Sequence, residues 1–239
     1  MKNKKHWGNG SSLTLQLKKE LISIATHELR TPITGLKGYL DMILAGDTGG
    51  VNPATKELLD EMVAINQRLA DLVDDLLNVS RIEDGRIEVK PVKMNLNDTI
   101  TDVVKEMKVQ SDQKHLQLIF KPEEEVEVFA DPDRLRQVLV NLIGNSIKYT
   151  KAGSVEVFIK KGKTVEIHVK DTGIGMSEEQ MSRLFEKFYR IKTEATRSIT
   201  GTGLGLWITK KIVEMMNGTI KVNSVLDSGS DFEFTLPAA

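Results

Sequence analysis

Apolar residues recur at intervals of three and four over the first third of the chain and predict two long helices. The first is expected from Leu13 to Ala45, where the turn cluster 46–50 ends it. The second is expected to begin at Pro53 and to end near Gly85, a typical C-terminal capping residue. The apolar stripe of the first helix comprises Ile22, Ala25, Leu29, Ile33, Leu36, Leu40 and Ile43. That of the second comprises Leu58, Met62, Ile65, Leu69, Leu72, Leu76 and Val79.

The stripe of the second helix alternates four and three without interruption, which is a heptad pattern of about three repeats. Such a seam is typical of a left-handed coiled coil or a four-helix bundle. One helical hairpin offers too little surface to bury both stripes, so we predict a homodimer with a four-helix bundle. The alternative is a monomeric hairpin that packs on the rest of the chain.

Beyond Gly85 the pattern changes to short alternating strands mixed with amphipathic helices. Strands are expected at 87–92, 116–120, 126–129, 154–160, 164–170, 219–225 and 231–236, and helices at 97–113, 131–149, 177–188 and up to Asn217. This order predicts an α+β sandwich with the helices on one face of a mixed, largely antiparallel sheet. The expected division is a tag-like tail at 1–12, a helical hairpin at 13–84 and a sandwich domain at 85–239.

Composition excludes several classes of function. The 34 acidic and 33 basic residues nearly cancel, which argues against nucleic acid or an anionic membrane as a partner. The absence of cysteine excludes disulfides and thiolate metal sites and agrees with a cytoplasmic location. No apolar run approaches the ~18 residues that a membrane span needs. A membrane segment upstream of this sequence would not be visible in it.

His27 is the first candidate for chemistry. At about 100° per residue it lies on the side of the helix away from the apolar stripe, together with Thr31 one turn later. Glu28 supplies an adjacent carboxylate, and Pro32, which has no N–H to donate, is expected to kink the helix here. The pattern indicates an imidazole exposed for reaction. A merely solvated surface is the alternative for this motif taken alone.

The helix expected after Asp131 has one polar arc and one apolar face. Leu135, Leu139, Leu142 and Ile143 form the apolar face, whereas Arg134, Asn141, Asn145 and Lys148 form the arc. Asparagine is a poor helix former, so two asparagines one turn apart favour a functional reason. Their amide oxygens can coordinate Mg²⁺, and a lysine beside them can contact phosphate oxygens. A solvated polar face is again the alternative.

Two glycine-rich turns follow. Asp171 to Gly175 comes directly after a strand, where Gly173 and Gly175 let the backbone approach a flat ligand and Asp171 can accept from an exocyclic amine. Gly201 to Leu206 opens a helix, and its exposed N–H groups would suit phosphate. The intervening segment 189–202 is long and polar, and it carries Arg190, Lys192 and Arg197. It is predicted to be a lid over a triphosphate, with an uninvolved surface loop as the alternative.

Taken together, these motifs resemble those of the sensor histidine kinases of two-component signalling over nearly all of residues 21–237. Residues 23–32 resemble the H box, 141–150 the N box, 171–175 and 201–206 the two glycine boxes, and 185–190 the F box. Ser146 and Ile33 depart from this pattern, since alanine and leucine are commoner there. The resemblance implies a dimerisation and phosphotransfer hairpin followed by a Bergerat-type ATP-binding domain.

The resemblance also implies roles for individual residues. His27 would be the phosphoacceptor, Glu28 would raise its basicity, and Thr31 would support dephosphorylation of a partner response regulator. Asn145 would bind Mg²⁺ with help from Asn141. The remaining nucleotide contacts would come from Lys148, Tyr149, Asp171, Gly173, Gly175, Arg190, Gly201, Thr202, Gly203, Leu204, Gly205 and Leu206. The expected cofactors are ATP and Mg²⁺.

Other readings keep the same fold with a different function. A catalytically silent, nucleotide-binding scaffold would retain the fold without the transfer, but the intact His27, Glu28 and Asn145 argue against it. A gyrase-like or chaperone-like ATPase would not need a phosphoacceptor beside a heptad seam. The resemblance therefore favours an autokinase that passes its phosphoryl group to a response regulator.

Overall fold

A computed structural model describes residues 10–122, 124–197, 199 and 201–239, and of residues 10–24 and 27 it describes the backbone alone. The chain divides into two compact units, one ending at Ile87 and the other spanning Glu88–Ala239. Residues 1–9 of the expected tail lie outside the described residues. The division predicted from the sequence, with a boundary after residue 84, stays a prediction.

The first unit is an antiparallel pair of helices, α1 (Gly10–Ala45) and α2 (Pro53–Glu83). Asn52 caps α2 by accepting from the backbone N–H of Thr55 at 2.9 Å, and Pro53 occupies the first helical position. At the other end Gly85 takes a left-handed conformation (φ 63°), which agrees with the predicted glycine cap.

The contact between α1 and α2 is made by a narrow set of residues. Among the described side chains of α1 and α2, the buried apolar residues are Ile33, Leu40, Leu59, Val73, Leu77 and Val79. Thr26, Asn66 and Ser80 are the buried polar residues, and the Asn66 side chain donates to the Ile33 carbonyl at 3.1 Å. Five residues of the predicted heptad seam remain 44–62 % exposed, namely Leu58, Met62, Ile65, Leu69 and Leu72. Most of the seam is therefore not the surface that α2 packs against α1, although its last residue, Val79, is buried.

The second unit is a two-layer α/β sandwich. Its helices are α3 (Leu96–Gln113), α4 (Pro132–Tyr149), α5 (Glu178–Arg183) and α6 (Gly205–Met215). Its strands are β1 (Val92–Asn95), β2 (Gln117–Phe120), β3 (Glu127–Ala130), β4 (Ser154–Lys161), β5 (Thr164–Asp171), β6 (Ile220–Val225) and β7 (Gly229–Pro237). The main sheet has the order β2-β4-β5-β7-β6, and only the β2–β4 pairing is parallel. β1 and β3 form a separate antiparallel pair.

The core of this unit lies between the sheet and the long helices. Side chains on successive strand residues point to opposite faces. The buried inner face of the three central strands comprises Val155, Val157, Val165, Ile167, Val169, Phe232, Phe234 and Leu236. The predicted apolar face of α4 is fully buried at Leu135, Leu139, Leu142 and Ile143. The predicted mixed sheet with helices on one face is confirmed.

Two elements differ from their predictions. The strand expected at 87–92 begins only at Val92 and runs to Asn95, because the pairing with β3 starts at the Val92–Ala130 pair and Pro91 has no N–H for a ladder. The helix expected to reach residue 188 ends at Arg183. Its predicted capping box at Ser177 and Gln180 is present, but Phe188 adopts φ 61°, which a helix cannot contain.

Candidate functional site

The two asparagines of α4 meet the start of α6. The Asn141 side chain donates to Thr209 Oγ1 at 2.7 Å, and Asn145 Nδ2 donates to Asn141 Oδ1 at 3.3 Å. A Cβ at Gly205 would lie 2.7 Å from Asn141 Oδ1, so a side chain at this position would displace the Asn141 carboxamide. Because Asn145 uses its N–H on its neighbour, its own oxygen is the atom suited to a cation.

Asp171 ends β5 inside a ring of donors. Its Oδ1 accepts from the backbone N–H of Gly173 at 2.9 Å and of Ser230 at 3.2 Å, and its Oδ2 accepts from Ser146 Oγ at 3.1 Å. Burial raises the pKa of this carboxyl above its ordinary value, and these hydrogen bonds act in the opposite direction. A carboxylate accepts about four hydrogen bonds, so Oδ2 can still receive one from a ligand.

Close backbone approaches surround this carboxylate. A Cβ on Gly173 would lie 2.7 Å from the Tyr149 carbonyl oxygen. Gly175 has φ 61°, and a Cβ there would lie 1.9 Å from the Val225 carbonyl oxygen. The turn 171–175 thus packs against the end of α4 and the β6–β7 turn so closely that a side chain at Gly173 or Gly175 would clash with the backbone.

Cationic groups cluster at the C-terminal end of α4. Lys114 Nζ donates to the carbonyls of Ile147 (2.9 Å) and Lys148 (2.8 Å), which helix ends leave unpaired. Burial lowers the pKa of Lys148, and repulsion from Arg190 and Lys114 lowers it further. Burial also raises the pKa of Tyr149, against the effect of Arg190. A bound polyanion would relieve the repulsion among these cations.

The second glycine turn leads into α6. Leu204 precedes the helix without a side-chain cap, so the first N–H groups of α6 point outward with the positive end of the helix dipole. Gly203 has φ 75° and its carbonyl accepts from the Phe188 N–H at 2.9 Å. A Cβ at Gly201 would lie 3.2 Å from Lys148 Nζ, which places this turn beside the cation cluster. Thr202 accepts from the Leu204 N–H at 3.2 Å, and Leu206 follows in the first turn of α6.

The segment predicted to be a lid has its own internal order. Thr196 is buried, donates from Oγ1 to the Ile191 carbonyl at 2.7 Å and accepts from the Thr193 N–H at 2.9 Å. Arg190 donates to the Ile199 carbonyl at 2.6 Å. The described residues that line one cavity all belong to this segment, from Arg190 to Arg197. Residues 198 and 200 of the predicted lid lie outside the described part of the chain.

Cation–π contacts tie the start of this segment to the neighbouring helices. Arg183 lies over the Tyr189 ring at 4.6 Å and Lys187 over the Trp207 ring at 4.3 Å. Lys210 of α6 lies 5.6 Å from the Phe185 ring centroid. These contacts explain why residues 185–190 fold against α6 instead of extending α5.

The candidate residues of the first unit lie on α1. The backbone of His27 is helical, and the side chains of Glu28 and Thr31 are exposed. The orientation predicted for the His27 imidazole lies outside the described side chains. Nearby, Arg30 forms an ion pair with Asp74 of α2, which joins the two helices one turn from the His27 position.

Sequence reasoning missed four contributors to this site. Ser146 and the Ser230 N–H hold Asp171, Thr209 holds Asn141, and Lys114 caps α4. The partners in these pairs are separated by 25 to 68 residues, so no local sequence motif indicates that they are in contact. Ser146 gave one signal, because it stands where the resembling family prefers alanine.

In chemical terms, the second unit brings most of the predicted nucleotide residues together. An acceptor at Asp171 suits an exocyclic amine, and the outward amides of α6 with Lys148 and Arg190 suit phosphates. The Asn145 oxygen beside them suits Mg²⁺, which prefers oxygen ligands and keeps several waters. The residues present therefore fit a magnesium nucleotide.

Comparisons with known proteins agree with this geometry. Residues 130–239 match the family described as "Histidine kinase-, DNA gyrase B-, and HSP90-like ATPase", and residues 17–85 match the "His Kinase A (phospho-acceptor) domain". The chain is 33% identical over 227 residues to the signal transduction histidine-protein kinase BarA of Escherichia coli (strain K12), covering 92% of this chain. It spans only 24% of that relative's length.

Solved structures show the same fold. The full-length structure of ShkA in complex with AMPPNP superposes with a TM-score of 0.77 at 26% identity, over 92% of this chain and 46% of that one. The histidine kinase AdeS of Acinetobacter baumannii has a TM-score of 0.63 at 28% identity, over 89% of this chain and 98% of that one. Among the described residues, no helix has the length and apolar character of a membrane span.

Proposed function

This chain belongs to the sensor histidine kinases of two-component signalling, and from that premise we propose that it is an ATP-dependent autokinase that phosphorylates His27. The phosphoryl group would then pass to an aspartate of a response regulator. Because ATP is the substrate, we place this reaction in the cytoplasm.

One observation carries the proposal: the acceptor for a base, the amides for phosphates and the oxygen for a cation converge in one unit. Asp171 is buried among donors at the end of β5, and Asn141 ties α4 to the uncapped start of α6. A structural role would explain each feature separately. Their convergence favours an adenine nucleotide held between the two glycine turns.

The proposed reaction needs alignment and charge neutralisation more than covalent help. Nε2 of His27 would attack the γ-phosphorus, the bond from that phosphorus to the β,γ-bridging oxygen would break, and ADP would leave with the electron pair. Glu28 would accept a hydrogen bond from Nδ1–H and so increase the basicity of Nε2. Mg²⁺, when bound at Asn145, would neutralise phosphate charge. Lys148, Arg190 and the α6 amides would hold the remaining phosphate oxygens.

The exposed seam of α2 supports a homodimer through the hairpin. Leu58, Ile65 and Leu72 recur every seven residues and are 45–62 % exposed. A continuous apolar stripe of this kind is typical of an interface. A second copy of the hairpin would cover the seam and complete a four-helix bundle.

The exposed side of α1 around His27 is the proposed docking surface for the response regulator. Thr31 is exposed one turn beyond His27, and we propose that its hydroxyl orients water during dephosphorylation of the regulator. This second activity uses the same surface as the transfer without using the bound nucleotide.

The autokinase is tested by labelling the chain with γ-labelled Mg-ATP. We expect a phosphate that is stable in alkali and lost in acid, because the product is a phosphoramidate. His27→Asn should abolish the label, whereas His115→Asn at an exposed histidine should retain it. Asn145→Ala should reduce labelling by at least about 100-fold, because the metal contact of the transition state is lost. Label that survives in His27→Asn would contradict the assignment.

The phosphatase role is tested with Thr31→Ala and with a regulator that accepts the label from this chain. We expect autophosphorylation within about twofold of wild type and regulator dephosphorylation slower by at least about tenfold. Thr34→Ala is the control, since its exposed hydroxyl donates to the Arg30 carbonyl of its own helix at 3.0 Å. Equal loss of both activities in Thr31→Ala would refute the separate role.

A further inference from the structure

The outer face of the sheet carries a buried histidine that the nucleotide site does not use. His168 of β5 lies opposite Phe158 of β4 and opposite Glu233 of β7, and Glu233 in turn lies opposite Lys221 of β6. Alternation places His168 on the face opposite to Asp171. Although it is on that outer face, His168 is only 2 % exposed, and its ring stacks on Phe158 at 4.5 Å between centroids.

The two nitrogens of this imidazole have different surroundings. Nδ1 lies 3.1 and 3.2 Å from the two carboxylate oxygens of Asp231, which fixes the proton on Nδ1 in the neutral ring. Nε2 is buried and, within the described residues, has no hydrogen-bond partner. Its nearest oxygens belong to Glu166 at 3.7 Å and Glu233 at 3.9 Å, beyond hydrogen-bond range. A lone pair thus faces two carboxylates.

We propose that His168, Glu166 and Glu233 bind a divalent transition-metal ion such as Zn²⁺. Their ligand atoms all lie within 4.8 Å of one another. Ligands at the usual zinc distances in a tetrahedral site are roughly 3.4 Å apart. The distances from His168 Nε2 to Glu166 and Glu233, 3.7 and 3.9 Å, would therefore shorten by a few tenths of an ångström, and the two carboxylates would approach each other by up to about 1.4 Å. One nitrogen and two carboxylate oxygens with an open position match zinc and similar borderline ions.

The surrounding groups favour a cation at this point. Asp231 accepts from Nδ1–H and orients the ring, an arrangement common behind metal-binding histidines. Lys221 pairs with the other oxygen of Glu233 at 2.8 Å and leaves the oxygen nearer His168 available. The Glu166 side chain is 40% exposed, which gives an ion a route from solvent. The ion would join β5 to β7 across the outer face.

The competing state is a protonated imidazole that bridges the carboxylates without metal. In that state the proton on Nε2 would interact electrostatically with the carboxylates of Glu166 and Glu233, and zinc would not change the stability of the protein. Addition of zinc therefore distinguishes the two states.

The test uses the full chain, freed of metal with a chelator and titrated with Zn²⁺ against a chromophoric competitor. Because other histidines can bind zinc, the site is counted by difference: wild type should bind one equivalent more than His168→Gln. At zinc 100-fold above the dissociation constant, the thermal midpoint of wild type should rise by roughly 5–10 °C. The ¹⁵N resonance of His168 Nε2 should shift on metal binding.

Two further variants keep the test decisive if His168→Gln does not fold. Glu233→Gln should weaken the site by at least about tenfold, and Asp231→Asn by about 10–100-fold through loss of ring orientation. Glu156→Gln removes an exposed carboxylate from the same face, opposite Lys170, and should leave binding unchanged. Equal zinc stoichiometry in wild type and the His168, Glu233 and Asp231 variants would overturn the proposal, as would an unchanged midpoint.

Discussion

The apolar side chains of the long helices differ in solvent exposure between the two units. On α2, Leu58, Ile65 and Leu69 are 44–62 % exposed, whereas on α4, Leu135 and Leu142 are fully buried. Both helices carry an apolar stripe at helical spacing, and both are amphipathic. The second unit covers its stripe with its own sheet, but the first unit leaves its seam uncovered.

This difference indicates which part of the molecule is complete by itself. Burying an exposed leucine contributes about 1.5–3 kcal/mol, so a row of five uncovered apolar residues is a strong driving force for association. Large apolar side chains are also exposed on the second unit, but among its described residues they lie on separate elements and form no helical stripe, as at Val92, Val109, Phe129, Phe188, Val225 and Leu226. We infer that stability of the hairpin depends on protein concentration and that stability of the sandwich does not.

The largest expected effect comes from a charge placed in the seam. Leu69→Glu should raise the dissociation constant of the dimer by at least about 100-fold, because the carboxylate would have to be buried unpaired. Sedimentation velocity over a concentration series measures this. Leu226→Glu is the matched control, since Leu226 is 58% exposed in the second unit. An unchanged dimer affinity in Leu69→Glu would contradict the conclusion that the seam of α2 is the dimer interface.

A smaller effect is expected when the same truncation is made in each unit. Leu142→Ala should destabilise the sandwich by about 2–5 kcal/mol, because it leaves a cavity in a closed core. The denaturant midpoint of the sandwich in this variant should not depend on protein concentration. Leu69→Ala should instead give a midpoint that falls as the protein is diluted. A concentration-dependent midpoint for the sandwich, followed by near-ultraviolet circular dichroism of Trp207, would contradict the distinction.

The smallest effect concerns Ser146, which supports Asp171 from inside the sandwich. Ser146→Ala should weaken adenine nucleotide binding by about 3–10-fold, because one hydrogen bond to the carboxylate is lost. That bond lowers the pKa of Asp171, whereas burial raises it. Since the amine of adenine needs the ionised acceptor, affinity should fall as the pH drops through the raised pKa. The fall should begin at a higher pH in Ser146→Ala than in wild type, as measured by calorimetry.

The sequence predicted local features well where adjacent residues encode them. The cap at Asp131 with Pro132, the capping box at Ser177 and the left-handed Gly85 each depend on a few neighbouring residues, and all are present. The hairpin of β4 and β5 and the mixed sheet also agree with the prediction. Short-range chemistry was sufficient for these elements.

Features set by distant residues were not accessible in the same way. The end of α5 depends on Phe188, whose N–H donates to Gly203 fifteen residues later in sequence. The bond from Ser146 to Asp171 spans 25 residues. The heptad seam is a different case, because periodicity identifies an apolar stripe but does not say which surface covers it.

The hydrogen bonds around Thr196 have a consequence for ligand capture. Hydrogen bonds among residues 191–196 hold this segment in short turns through contacts within the segment itself. A loop that becomes ordered only when the ligand binds loses conformational entropy at that step, which lowers the affinity. Here most of that cost falls on folding instead. If this segment closes over a triphosphate, it would then move as a preordered loop.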